Sequence, residues 1–257
     1  MTPPPRSRTP RTPGIPSIRV DAAAVAEGYA VTLNGAPLKT PGKRPLIIPG
    51  AALAREIARE IERLLAQDPT ALSGKGLGGP ARAGNFRIAA GAIDVIAGEA
   101  GARARVVADL AAYGETDLVC FRAEHPDGLV AAQQAAWAPL VDWFAAEFSV
   151  RLGVTTGLRA VPQEAAALPA ITTAVEGYGD FALAALSLAT RAAGSIVIGL
   201  ALSRGRLDAD SAFMASAVDE RFQAERWGAD EDAGRALEAK ALDLAQAARF
   251  LDLLTKG

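Results

Sequence analysis

Cys120 and His125 are the only residues of their kinds in this 257-residue chain, and they lie close enough in sequence to suggest a thiol nucleophile with its base. Such a pair needs hydrogen-bond reach and a third group to orient the imidazole, which Asp117, Glu124 or Asp127 could supply. The competing reading is plainer. Cys120 sits in the apolar run 118–121, where a small buried thiol is ordinary, and His125 precedes Pro126 as a surface turn residue. The glycines at 74, 76 and 79 match the letters of a dinucleotide fingerprint, but they come after an expected helix, so no strand-to-helix turn aims N–H groups at a pyrophosphate. One histidine and one cysteine cannot build a common zinc site. The acids at 230–232 occupy consecutive positions, which diverge on a helix, and a first helical turn explains them. No catalytic, cofactor-binding or metal residue is therefore assigned.

Residues 218–232, VDERFQAERWGADED, carry a different signal. At about 100° per residue, Met214, Val218 and Phe222 form one stripe, read as core, while Glu220, Gln223 and Trp227 form another. Acids, an amide and a large aromatic on one stripe have the composition of a docking surface. Two placements satisfy the sequence: Trp227 covers the helix end and packs inward, or it stands out as an anchor for a partner. Residues 112–126 pose a similar choice, since Gly114 ends a helix and Glu115, Thr116 and Asp117 come next as a polar turn. That turn is either a local cap or a second binding loop.

The elements that must hold these residues can be read from periodicity. Residues 29–33 read as a strand leading into Asn34-Gly35, the pair suited to a two-residue hairpin turn, and 46–48 and 18–20 are further short strands. Residues 51–67 switch to helical period, with Leu53, Ile57, Ile61 and Leu64 on one face. The glycine-rich stretch 68–85 reads as a linker. Helical patterns then dominate: Ile88 to Ile96, a break at Gly98 and Gly101, then Val106 to Leu110. Val130, Gln134, Trp137, Val141, Phe144 and Phe148 form the next stripe, interrupted by Pro139, and Leu237, Ala241, Leu244, Ala248 and Leu251 define a final helix. The expected fold is α+β: a disordered Pro/Arg tail over 1–16, a small N-terminal sheet-plus-helix domain over 17–78, and a mainly α-helical orthogonal-bundle domain over 79–257.

Composition narrows the partners. A net charge of -2 gives no positive field for nucleic acid or an acidic membrane surface. Residues 181–202 approach the length of a membrane span, but Arg191 sits mid-segment and Gly194-Ser195 reads as a break, so two short buried helices are expected. A single cysteine fits a reducing compartment. The tail holds Arg6, Arg8 and Arg11 without an acid, yet its prolines oppose the amphipathic helix of a transit peptide. Bacterial cytoplasm is the expected location, with the mitochondrial matrix as the alternative.

Five segments in order resemble the ATP-twelve chaperones, which assist assembly of the F-one head of ATP synthase: GYAVTLNGAPLKTPGKRPLIIP at 28–49, YGETDLVCFRAE at 113–124, WAPLVDWF at 137–144, GSIVIGLALSRGRLD at 194–208 and DERFQAERWGADEDA at 219–233. The region 77–90 matches the family mainly in its ending, and Ile61 stands where the family commonly has tryptophan. The resemblance implies a chaperone that binds the free alpha subunit and shields its interface until the beta subunit arrives. It also implies partner-facing roles for Asp219, Glu220, Gln223, Trp227 and Glu231, with Glu115 and Asp117 as weaker candidates. A monomer is expected. The alternatives are a small-molecule enzyme using Cys120 and His125, or an adaptor for another client protein.

Overall fold

A computed structural model describes residues 19–68, 84–157, 159–228 and 230–257. The proline-rich tail, the glycine motif at 74–79 and the domain boundary at 78/79 lie outside them. The first layer is a small antiparallel sheet. Strand β1 (Val20–Val25) pairs with β2 (Gly28–Leu33), and β2 pairs on its other side with β3 (Ala36–Pro37) and β4 (Ile47–Ile48). Asn34 and Gly35 make the β2–β3 turn at φ 50° and 84°, the doubly left-handed geometry the dipeptide predicts. Gly28 is required by close approach, because a Cβ there would meet the Ile48 carbonyl oxygen at 2.4 Å.

Helix α1 (Ala51–Gln67) has the predicted bounds and buries Leu53, Ile57, Ile61 and Leu65 against the sheet. It also organises the next helix. Glu60 accepts hydrogen bonds from the backbone N–H groups of Asn85 and Phe86 at 3.1 Å each, capping α2 (Asn85–Gly91) from a neighbouring helix. A π-helical turn (Ala92–Ile96) continues from α2. Its Asp94 carboxylate accepts from the Thr40 hydroxyl at 2.5 Å and the Gly42 N–H at 2.8 Å, while Arg44 donates to the carbonyls of Ile93 and Gly98. The 40–44 loop of the sheet is thereby clamped to the helical part.

The rest is helical apart from a two-stranded parallel contact between β5 (Phe121–Arg122) and β6 (Thr155–Thr156). The helices are α3 (Ala102–Ala112), α4 (Asp127–Phe148), α5 (Ala167–Glu176), α6 (Asp180–Ala193), α7 (Ile196–Ser203), α8 (Ala209–Ser216), α9 (Val218–Trp227) and α10 (Glu231–Thr255). The long apolar run is two helices, as predicted. Gly194 turns at φ 68°, Ser195 caps α7 through the Ile198 N–H, and the Arg191 side chain is exposed. Among the described residues no helix is long and apolar enough to cross a membrane.

Two sequence readings need correction. Met214 and Val218 do not share a helix, because α8 ends at Ser216 and Ala217 breaks the path before α9; Met214 is 44% exposed. In α4 the buried amide is Gln133, whereas Gln134 is exposed. The two expected domains also share their interiors. Phe86, Ile88 and Ala89 lie in the core of the sheet and α1, and so do Ala185 of α6 and Phe250 of α10. Elsewhere on α10, Leu244 and Ala247 fill the larger core with Trp137, Phe144 and Leu186.

The Asp94 clamp gives a direct check. Asp94→Ala leaves the Thr40 hydroxyl and the Gly42 N–H without their charged acceptor, and hydrogen bonds to ionised groups are individually strong. Urea unfolding should show a loss of about 2–4 kcal/mol, with the helical signal unchanged in the absence of denaturant.

Candidate partner-binding surface

Helix α9 owes little of its place to burial: of its ten residues only Val218 is buried. Asp219 and Glu220 occupy the first turn, where carboxylates complement the exposed N–H groups. Asp219 is also tied inward, accepting from the Gln133 amide at 2.7 Å. Glu220 receives the Lys240 ammonium of α10 at 2.7 Å, and that same ammonium donates to the Ser216 carbonyl at 2.9 Å. Gln223 is exposed. Trp227 ends the helix beside Gly228, which turns at φ 84°, and stands 71% exposed. Of the two placements open in the sequence, the outward one holds.

The helix is a ridge between two hollows. On one flank Glu220, Gln223 and Trp227 face Ala233, Ala236, Leu237 and Lys240 of α10 across a hollow of about 300 Å³. On the other, Val218, Arg221, Phe222 and Glu225 meet α4 and α8 around an apolar groove of about 470 Å³ that includes Leu140, Leu207 and Met214. The stripe read as core thus lines an open groove. Asp230 caps α10 through the Ala233 N–H at 2.7 Å, and Glu231 and Asp232 both pair with Arg235. Helix-end chemistry accounts for this triplet, while the Glu231 side chain remains 88% exposed. Among the described residues no group of acids, histidine and cysteine could hold a metal ion.

The second predicted region divides. Glu115 is exposed at the end of a 3-10 turn (Tyr113–Glu115). Asp117 is fully buried, so its assignment as partner-facing is corrected. Its carboxylate accepts from the Ser195 hydroxyl at 2.6 Å and from the N–H groups of Val119 at 3.1 Å and Val197 at 3.2 Å, joining the 113–124 segment to the start of α7. Burial pushes its pKa up to about 6 against the pull of these hydrogen bonds. The local cap at Val119 was legible from an aspartate before an apolar run. Ser195, distant in sequence, was not.

Cys120 is buried and its thiol is pushed up to about 12, first by desolvation and then by the nearby Asp117 charge. That is the reverse of the lowered pKa a thiolate nucleophile requires. His125 is exposed on the turn before Pro126, and the two are not joined by a hydrogen bond. Residues that sequence reasoning passed over include Gln133 and Lys240, which brace α9 from α4 and α10. Their signal was weak, since a lone amide or lysine on a helix is usually solvated.

Asp117 yields a pH signature with a definite sign. Because its folded pKa of about 6 exceeds the ordinary 3.8, protonation favours the folded state, and that contribution is lost as pH rises through about 6. Relative to the Asp117→Asn variant, the native chain should lose about 3 kcal/mol of unfolding free energy between about pH 3 and 7. Denaturant titrations at several pH values measure it; a constant difference across that window contradicts the elevated pKa.

The chain as a whole is similar to known chaperones. Residues 17–145 match the ATP12 chaperone protein family. The fold aligns with the crystal structure of Atp12 from Paracoccus denitrificans at a TM-score of 0.81 and 37% identity, covering 92% of this chain and 96% of that one. An aspartate-to-lysine mutant of the same organism's Atp12p aligns equally well, at 36% identity over 92% and 95% of the two chains. A protein from Agrobacterium tumefaciens gives a TM-score of 0.76 at 32% identity, over 92% of this chain and 83% of its own. The chain belongs to the ATP12 chaperone family.

Proposed function

We propose that this chaperone captures the free alpha subunit of the ATP synthase F-one head through the α9 ridge and covers its intersubunit face until the beta subunit takes its place. The observation that carries the reading is Trp227, 71% exposed at the end of a helix whose own burial needs only Val218. An isolated ring subunit presents apolar area meant for a neighbour, and such area aggregates when uncovered. Reversible cover calls for a mixed interface of about 800 Å² per partner with a few aromatic anchors and a polar rim. Trp227 supplies the anchor, the apolar walls of the adjoining hollow supply complementarity, and Asp219, Glu220, Gln223, Glu231 and Glu115 supply polar contacts. Asp219 and Glu220 already have internal partners, so the client must either compete for them or engage their free oxygen lone pairs. The chaperone acts as a monomer in bacterial cytoplasm, and competition by the beta subunit releases the client without chemistry by the chaperone.

Titration of purified alpha subunit against the native chain and Trp227→Ala tests the surface. Loss of a central aromatic contact should weaken binding by about 2 kcal/mol, roughly thirtyfold. Equal affinity of the two chains would move the interface elsewhere. Excess beta subunit should dissociate the preformed complex in the same assay; a complex that persists rules out release by competition.

A further inference from the structure

Arg122 is a half-buried cation that no anion matches among the described residues. It lies in β5, where its backbone is fixed by pairing with Thr156 and by the Gly157 N–H, which donates to the Arg122 carbonyl at 2.9 Å. Its guanidinium carbon sits 5.0 Å from the centroid of the Trp137 ring, itself buried and held by its indole N–H on the Ala215 carbonyl at 2.7 Å. One terminal nitrogen, Nη1, is buried with no hydrogen-bond partner. Every aspartate and glutamate of the chain lies among the described residues, and none pairs with this guanidinium. A buried N–H of a cation left unmatched is costly, and natural interiors seldom leave one so. Burial also weakens the side chain's hold on its proton, with no neighbouring carboxylate to restore it.

We propose that Arg122 is a binding site for a client carboxylate, which the guanidinium receives against the Trp137 ring. A planar fork on an aromatic floor suits a carboxylate, whose two oxygens accept parallel N–H bonds. A single guanidinium neutralises one unit of charge, which favours a monoanion over a phosphate. The site is coupled to the α9 ridge. Gln133 accepts from the Ala123 N–H at 2.7 Å, one residue beyond Arg122, and donates to Asp219 at the start of α9. A client spanning both would place an acid at Arg122 and its apolar surface at Trp227. This client role rests on the proposed function, whereas carboxylate binding at Arg122 does not.

Arg122→Met keeps the stem over Trp137 and removes the charge. Two measurements on the full chain decide the matter. In thermal melts at constant ionic strength, replacing chloride by acetate should raise the melting temperature of the native chain and leave the variant unmoved; an equal response in both overturns the site. Titration with purified alpha subunit should show about tenfold or weaker binding for the variant, as loss of a charge-assisted hydrogen bond implies. If Trp227→Ala weakens capture and Arg122→Met does not, the client role of Arg122 is overturned. If the native chain fails to capture the alpha subunit, the proposed function falls, and the acetate comparison still judges the site.

Discussion

The arrangement depends on one long helix filling two interiors. Leu244 and Ala247 of α10 complete the large helical core, and Phe250, less than two turns on, closes the small core beneath the sheet. Helix α6 does the same, with Leu186 and Ala189 on one side and Ala185 on the other. Apolar surface buried at both places makes separation expensive, at roughly 25 cal/mol for each Å² re-exposed. The sheet is therefore a brace for the bundle. Its clamp through Asp94 and Arg44, and the cap that Glu60 places on α2, add directional bonds to that seam. Helix α9, with few buried contacts of its own, is held in place because Lys240 of this doubly anchored helix and Gln133 of α4 reach it.

What the sequence made legible was whatever depends on local periodicity or on a residue with a special backbone. Helix α1 comes from its spacing of Leu53, Ile57 and Ile61, the hairpin from Asn34-Gly35, and the break between α6 and α7 from Gly194-Ser195. The break between α8 and α9 was not legible, because Ala217 is neither glycine nor proline and the apolar spacing runs straight through it. Gln133 and Gln134 are about 100° apart on α4, and composition cannot choose between adjacent amides. Asp117 was misplaced for another reason. A carboxylate in a polar turn looks like surface until its partners across the fold, Ser195 and Val197, are seen.

For the binding surface, the residue types were visible and their settings were not. Glu220, Gln223 and Trp227 do share a face, as helical spacing required. Spacing could not say whether that face looked inward, since a tryptophan is as common in a core as at an interface. Nor could it show that the opposite stripe, with Met214 and Phe222, lines an open groove. Arg122 was passed over because an arginine in a short apolar segment draws notice only once its neighbours are known to lack a matching charge.

That α9 buries one side chain in ten separates two kinds of selection. Most residues of a protein answer at once for folding and for function, so a change that suits one burdens the other. Along this helix the outward positions answer almost wholly to whatever they touch. A lineage in which the client's face drifted could track it by substitutions at Gln223, Glu225 or Trp227 while the fold's stability stayed nearly level, leaving recognition free to evolve on a scaffold that does not.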